Sequence, residues 1–318
     1  MLMSGEAVFS EEWHRFYGEN VRPSDRHWLT EIEEQLAHYQ SIWNEVEGTD
    51  FKSLDDTDVE TASDRLKVAA HYVDLIQRVV LCRSVHLIRA FIDTINREDF
   101  ESAPFLVRAV MEYAALGFHS AQKLRAGFEA YRESKPNGEQ LLREAQVSTF
   151  FGAKINYGAF LAGIQERESD GRFDYDAGEW DLIKDLIEHG QFSEKTVPKE
   201  SRGLTIEMVS KMLDAVDVNA EHLQEGAPVG AFRAIWEHLS QYCHPSIFSW
   251  SFNRAEVLEG GRYSPSQEDR TILKRMALDR FVQPMWEWVH TLPGHAIENL
   301  ASLESEIEQE ADALEGKP

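Results

Sequence analysis

Apolar residues recur at three- and four-residue spacings through most of the chain, the period of helices that bury one face. Trp28, Ile32, Leu36, Tyr39 and Trp43 follow Ser24, a fitting N-cap, and the pattern stops at Gly48. The acidic link FKSLDDTDVE leads into a long helix expected from about Thr61 to Asn96, whose apolar positions thicken toward Ile88 and Ile92. A second core helix covers the stretch from Glu101 to His119 and continues to about Tyr131, until Pro136 and Gly138 break it. Further helices are expected over 139–168, from Trp180 to His189, and over IEMVSKMLDAV, capped by Thr205. A helix beginning near Ser266 should bend at Pro284, and the acidic stretch from Ala296 to Leu314 reads as a solvated helical face or tail. Only after Pro245 does the texture change. There Ile247, Ser249 and Ser251 alternate with Phe248, Trp250 and Phe252, an extended segment. The fold class is all-α: a multi-helix bundle with a short extended segment after the central helix. Residues 1–60 form an N-terminal helical arm packed on the body, and 61–318 the helical core domain.

The stretch from Glu225 to Ser246 is the centre of this arrangement. At about 100° per residue, Phe232, Ile235, Trp236, Leu239, Tyr242 and Cys243 share one apolar arc, and Arg233, Glu237, Ser240 and His244 form a polar row opposite. Pro245 places His244 at a helix end, where the helix dipole favours a cation. Arg108, Glu112 and His119 repeat the spacing of Arg233, Glu237 and His244 on a helix that is otherwise almost wholly apolar. Two origins of the match stay open, an internal duplication and convergence between two core helices. Either way, charges on such helices need partners, and the two rows are expected to face each other in the interior.

Composition narrows the function classes. The chain has 318 residues, 42% of them hydrophobic, with eight Trp and 17 Phe, which is folded-protein composition. A net charge of −24 repels phosphate backbones at long range, so non-specific DNA binding is not expected, and RNA would have to be held at a local cationic site. No run approaches the ~20 apolar residues of a membrane span, the start lacks the features of a secretory leader, and two cysteines, Cys82 and Cys243, fit a reducing compartment. The expected location is cytoplasmic. No CxxC and no Glu-x-x-His pair on the two core helices supports a metal centre, so the expectation is no metal and no cofactor.

The candidate chemistry is an acid–base row acting on a phosphate, with Arg233 as charge clamp, Glu237 and His244 as proton-moving groups, and Arg108, Glu112, His119 and Ser240 in support; the Arg233–His238 spacing adds His238, outside the row, as an alternative proton carrier. The competing reading is a salt-bridge ladder that fixes helix register. Trp236-x-x-Leu239-Ser240-x-x-x-His244-Pro245-Ser246, with Trp at the aromatic position, resembles the Tyr-x-x-Leu-Ser-x-x-x-His motif of an uncharacterised bacterial all-α family. Members of that family also carry an Arg-x-x-x-Glu helix like Arg108–Glu112. Separately, Arg233-x4-His238 resembles the Arg-x4-6-His signature of HEPN domains, although Ala234 stands where that family has a polar residue. The resemblance implies a helical bundle, a homodimer, and a metal-independent ribonuclease of bacterial stress or phage defence. The alternative is a non-catalytic binding or regulatory protein whose Arg-Glu-His network is structural. A third reading makes the two rows a small-ligand pocket.

Overall fold

The structure is a computed structural model that describes residues 23–46, 59, 61–97, 99–100, 102–134, 138–149, 206–219, 223, 227–243 and 275–315. The fold is all-α, with no strand among the described residues. Among the described residues seven α-helices follow in order: α1 (Pro23–Val46), α2 (Ala62–Asn96), α3 (Ala103–Ser134), α4 (Glu139–Thr149), α5 (Ile206–Asp217), α6 (Ala231–Cys243) and α7 (Leu292–Glu315). The extended segment expected after Pro245, the helix expected from Trp180 to His189, the continuation of α4 beyond Thr149, and the N-terminal residues 1–22 lie outside the described residues. No described helix is long and apolar enough to cross a membrane.

Local sequence explains the helix ends. α1 starts at Pro23 rather than after Ser24. Proline suits the first helical position because no N–H is needed there and its φ is already helical. Thr61 caps α2 in a reciprocal box, taking the Asp64 N–H on its side chain while the Asp64 carboxylate accepts the Thr61 N–H at 2.8 Å. Gly138, at φ 78°, occupies the left-handed region just before α4.

Three long helices form the frame. α2 and α3 are antiparallel neighbours, and α7 lies against both. α7 runs against α2: the Ser63 hydroxyl donates to the Ala311 carbonyl at 3.1 Å, and Gln77 Nε2 reaches Glu304 at 2.5 Å. It runs with α3, since Gly117 meets Ala296 while Arg125 pairs with Glu306 at 2.9 Å. The acidic stretch read as a solvated face or tail is therefore a core element. Ala296, Leu300, Leu303, Ile307 and Ala311 form one fully buried stripe, and its acids stand on the remaining faces. Five residues at spacings of four, three, four and four suffice to bury one side of a helix between two others.

The interior has two parts. One holds α1, the C-terminal half of α2, the N-terminal half of α3, α5, α6 and the start of α7. The other holds the opposite halves of α2, α3 and α7, closed by α4. α1 is tied in by Tyr39, whose hydroxyl donates to the His290 carbonyl and accepts from the Gly294 N–H, each at 2.9 Å. Between α6 and α7 the chain makes two π-helical turns, Leu278–Val282 and Met285–Val289, separated by Pro284. Proline has no N–H to give, and the ladder on either side widens to i→i−5 bonds such as His290 N to Met285 O at 2.8 Å. Where the sequence predicts a bend at Pro284, the helix changes to π geometry on either side of the proline.

Two predictions follow from packing. A Cβ at Gly117 would stand 2.9 Å from Ala296 Cβ and 3.4 Å from Val80 Cγ2, atoms with little freedom to withdraw. Gly117→Ala should gain helix propensity yet lose about 1–2 kcal/mol net through overpacking, read as a lower urea midpoint. An unchanged or higher midpoint would mean that α3 and α7 are not in this contact. On α1, burial pushes the half-buried Glu33 carboxyl up to about 7, and its Oε1 finds no hydrogen-bond partner among the described residues. The folded state then holds this proton more tightly than the unfolded state, so stability should fall as pH rises between about 4.5 and 7. Glu33→Gln should remove that slope and stabilise the protein at pH 8 by on the order of 1 kcal/mol, a value discounted for partial exposure. Parallel pH–stability curves for the two proteins would rule this out.

Candidate functional site

The two polar helices do meet, but not row to row. α6 lies against α3 and α5. Arg108 Nε donates to Glu112 Oε1 at 2.8 Å, the i,i+4 pair expected from spacing. The same oxygen accepts the Trp236 indole N–H at 2.9 Å from α6. The Arg108 guanidinium in turn lies over the Trp236 ring, 4.5 Å from its centroid. Trp236, read from the sequence as one more member of the apolar arc, is thus the bridge between the helices. An indole is amphipathic: its ring fills the seam while its N–H needs an acceptor. That need was the available signal.

Cys243, two turns further along α6, completes the cluster. Burial pushes its thiol up, and the Arg108 guanidinium, which hydrogen-bonds the sulfur, works in the opposite direction. The seam is not sealed: the side chains of Arg108 and Glu112 keep 23% and 33% of their exposure. His119 belongs to the same helix but not to this cluster. It stands two turns on, about 10 Å along the axis, where burial and the charges of Lys123 and Lys211 hold its imidazole below the ordinary range.

The row on α6 divides among three environments. Arg233 Nη2 lies 2.6 Å from Asp214 Oδ1 on α5. The buried Asp217 carboxylate, at the end of α5, accepts the backbone N–H groups of Phe232 at 3.0 Å and Arg233 at 3.3 Å. Those are the donors an N-cap side chain normally takes. Gly230, at the N-cap position with φ 82°, has no side chain to offer, so Asp217 caps α6 from another helix. Burial raises the Asp217 carboxyl, and its two backbone bonds oppose that rise. Arg233 therefore belongs to an anchoring device, and the sequence signal missed was the Asp-rich end of α5 facing a capless glycine.

Glu237 and His238 are exposed on the outer side of α6. The buried Ser240 returns its hydroxyl to the Trp236 carbonyl at 2.7 Å, so it is spent on its own helix. His244 lies outside the described residues. His238 packs edge-on to Tyr242, with ring centroids 5.3 Å apart, and the Tyr242 hydroxyl accepts from Arg280 Nη1 at 2.7 Å. Although the residue is exposed overall, partial desolvation of its ring against Tyr242, and then the Arg280 charge, hold the His238 imidazole below its usual range. Arg280 comes from the first π turn, and sequence reasoning did not select it. Among the described residues, no group of three or more His, Cys, Asp or Glu side chains is gathered as for a metal ion. The chain matches no protein-family model, no curated protein and no solved structure.

The different environments of Glu112 and Glu237 predict different mutational costs. Glu112→Ala strands both the Arg108 guanidinium and the Trp236 N–H in a half-buried seam and should cost about 1–3 kcal/mol. Glu237→Ala should stay within about 0.5 kcal/mol of wild type. Equal urea midpoints for the two variants would refute the bridging role of Glu112.

Proposed function

We propose that this chain is a non-catalytic helical binding or regulatory protein that offers the Arg108 guanidinium to an anionic group on its partner. The observation that carries this reading is the way Arg108 is held. Glu112 fixes its Nε, its Cζ lies over the Trp236 ring, and Cys243 meets it from the end of α6, yet the side chain remains partly open to solvent. A guanidinium set in place before its ligand arrives loses little freedom on binding and suits a carboxylate or phosphate. Against the enzyme reading, a metal-free nuclease needs its proton carrier and its cation on the same phosphate. Arg233 is engaged with α5, while His238, five residues on and about 140° around the helix, faces Tyr242 and Arg280.

One observation favours the second reading, a ribonuclease: His238 and Arg280 sit together beside Tyr242, a proton carrier next to a cation. One experiment separates the two. Purified protein is incubated with single-stranded RNA in EDTA, and its thermal unfolding is followed with phosphate, citrate or short RNA. The binding reading expects intact RNA, and an anion that raises the melting temperature of wild type but not of Arg108→Gln. Cleavage by wild type that disappears in His238→Ala would replace it with the enzyme.

A further inference from the structure

Away from the seam, α2 carries a second pair of reactive side chains. Cys82 and His86 are i,i+4 on this helix, so they project side by side. Cys82 Sγ stands 3.7 Å from His86 Nδ1, at the protein surface. Zinc binds thiolate sulfur at about 2.3 Å and imidazole nitrogen at about 2.0–2.1 Å, and a tetrahedral angle between those bonds puts the two donor atoms about 3.6 Å apart. The pair is therefore already spaced as two ligands of one tetrahedral ion. The i,i+4 backbone spacing brings the two side chains together, and their rotamers already set the donor atoms at that separation, where they share a hydrogen bond that the metal would replace.

Two donors fill half of such a coordination shell. Among the described residues, no third His, Cys, Asp or Glu is gathered with them. A twofold axis passing beside the pair would bring the same two donors from another molecule and complete an S2N2 set, the composition of many structural zinc sites. The surroundings suit a meeting of two helices. Val79, one turn before Cys82, is 38% exposed and would give an apolar rim. Arg83, between the two donors in sequence, is drawn aside over the Tyr113 ring, 6.0 Å from its centroid. Two thiolates and two neutral imidazoles would balance the charge of a divalent cation, so the site itself would be electrically neutral.

We propose that Cys82 and His86 are half of a zinc-type site that a second copy of this chain completes. The inference is independent of the Arg108 seam.

The full-length protein, reduced and stripped of metal, is titrated with Co²⁺ alone, followed by Zn²⁺ competition. The expected result is a thiolate-to-cobalt charge-transfer band with the strong visible absorption of tetrahedral cobalt. It should saturate at one ion per two chains and be displaced by Zn²⁺. Light scattering should give the mass of a dimer in the cobalt-bound state. Cys82→Ser and His86→Ala, each with the wild-type circular dichroism spectrum, should lose the band. Absence of the band in wild type, its survival in Cys82→Ser, or a cobalt-bound protein that is monomeric would each overturn the proposal.

Discussion

The close seating of α7 between α2 and α3 is the constraint on which the rest of the structure depends. Its buried stripe is continuous with both parts of the interior, from Ala296 in one to Ala311 in the other. At the waist between them, Gly117 of α3 lets Ala296 and Leu300 of α7 and Val80 of α2 approach closely. Close approach of this kind favours dispersion contacts over long side chains and fixes the axial register of three helices at once. With α2 and α3 set, the N-terminal half of α3 becomes a fixed platform, and it is this platform that receives α5 and α6.

On that platform, polar groups do the positioning and apolar groups supply the area. Phe232, Leu239 and Tyr242 bury one side of α6, but a helix of 13 residues with one apolar side can rotate and slide. Asp217 pins its first turn, and the Glu112–Trp236 bond pins its middle. The two fixings lie on different neighbours, α5 and α3, so together they define both the position and the rotation of the helix. The Arg108 guanidinium is oriented as a by-product, which is why the candidate binding group and the register device share residues.

Much of this was legible in the sequence, and the misses have physical causes. α2 was read to within a residue of its observed ends because Thr61 and the long apolar periodicity agree. α7 was misjudged because net acidity dominates its composition, while burial needs only a narrow stripe, and a stripe of small and aliphatic residues is easily outvoted by acids. Arg108 and Glu112 were paired correctly since i,i+4 geometry is local. The partners of Arg233 were missed because they come from α5, and helix periodicity carries no information about which neighbour a helix will meet. The Trp236 ring reads as apolar in any helical pattern, whereas its N–H decides its role. Arg280 sits in a π turn, where a 3.6-residue period no longer assigns faces.

The position of α7 in the chain has a consequence for how the protein comes to exist. The contacts that close the frame join residues far apart in sequence; Ser63 and Ala311 are 248 positions apart. During synthesis, α2 and α3 can pair as a local hairpin, but the groove between them stays open until the last described helix has been made. Non-local closure of this kind is slow and leaves apolar surface uncovered in the meantime. The α2–α3 hairpin therefore keeps apolar surface uncovered until α7 has been made, and a stop codon anywhere before about residue 311 leaves the groove between α2 and α3 incompletely filled.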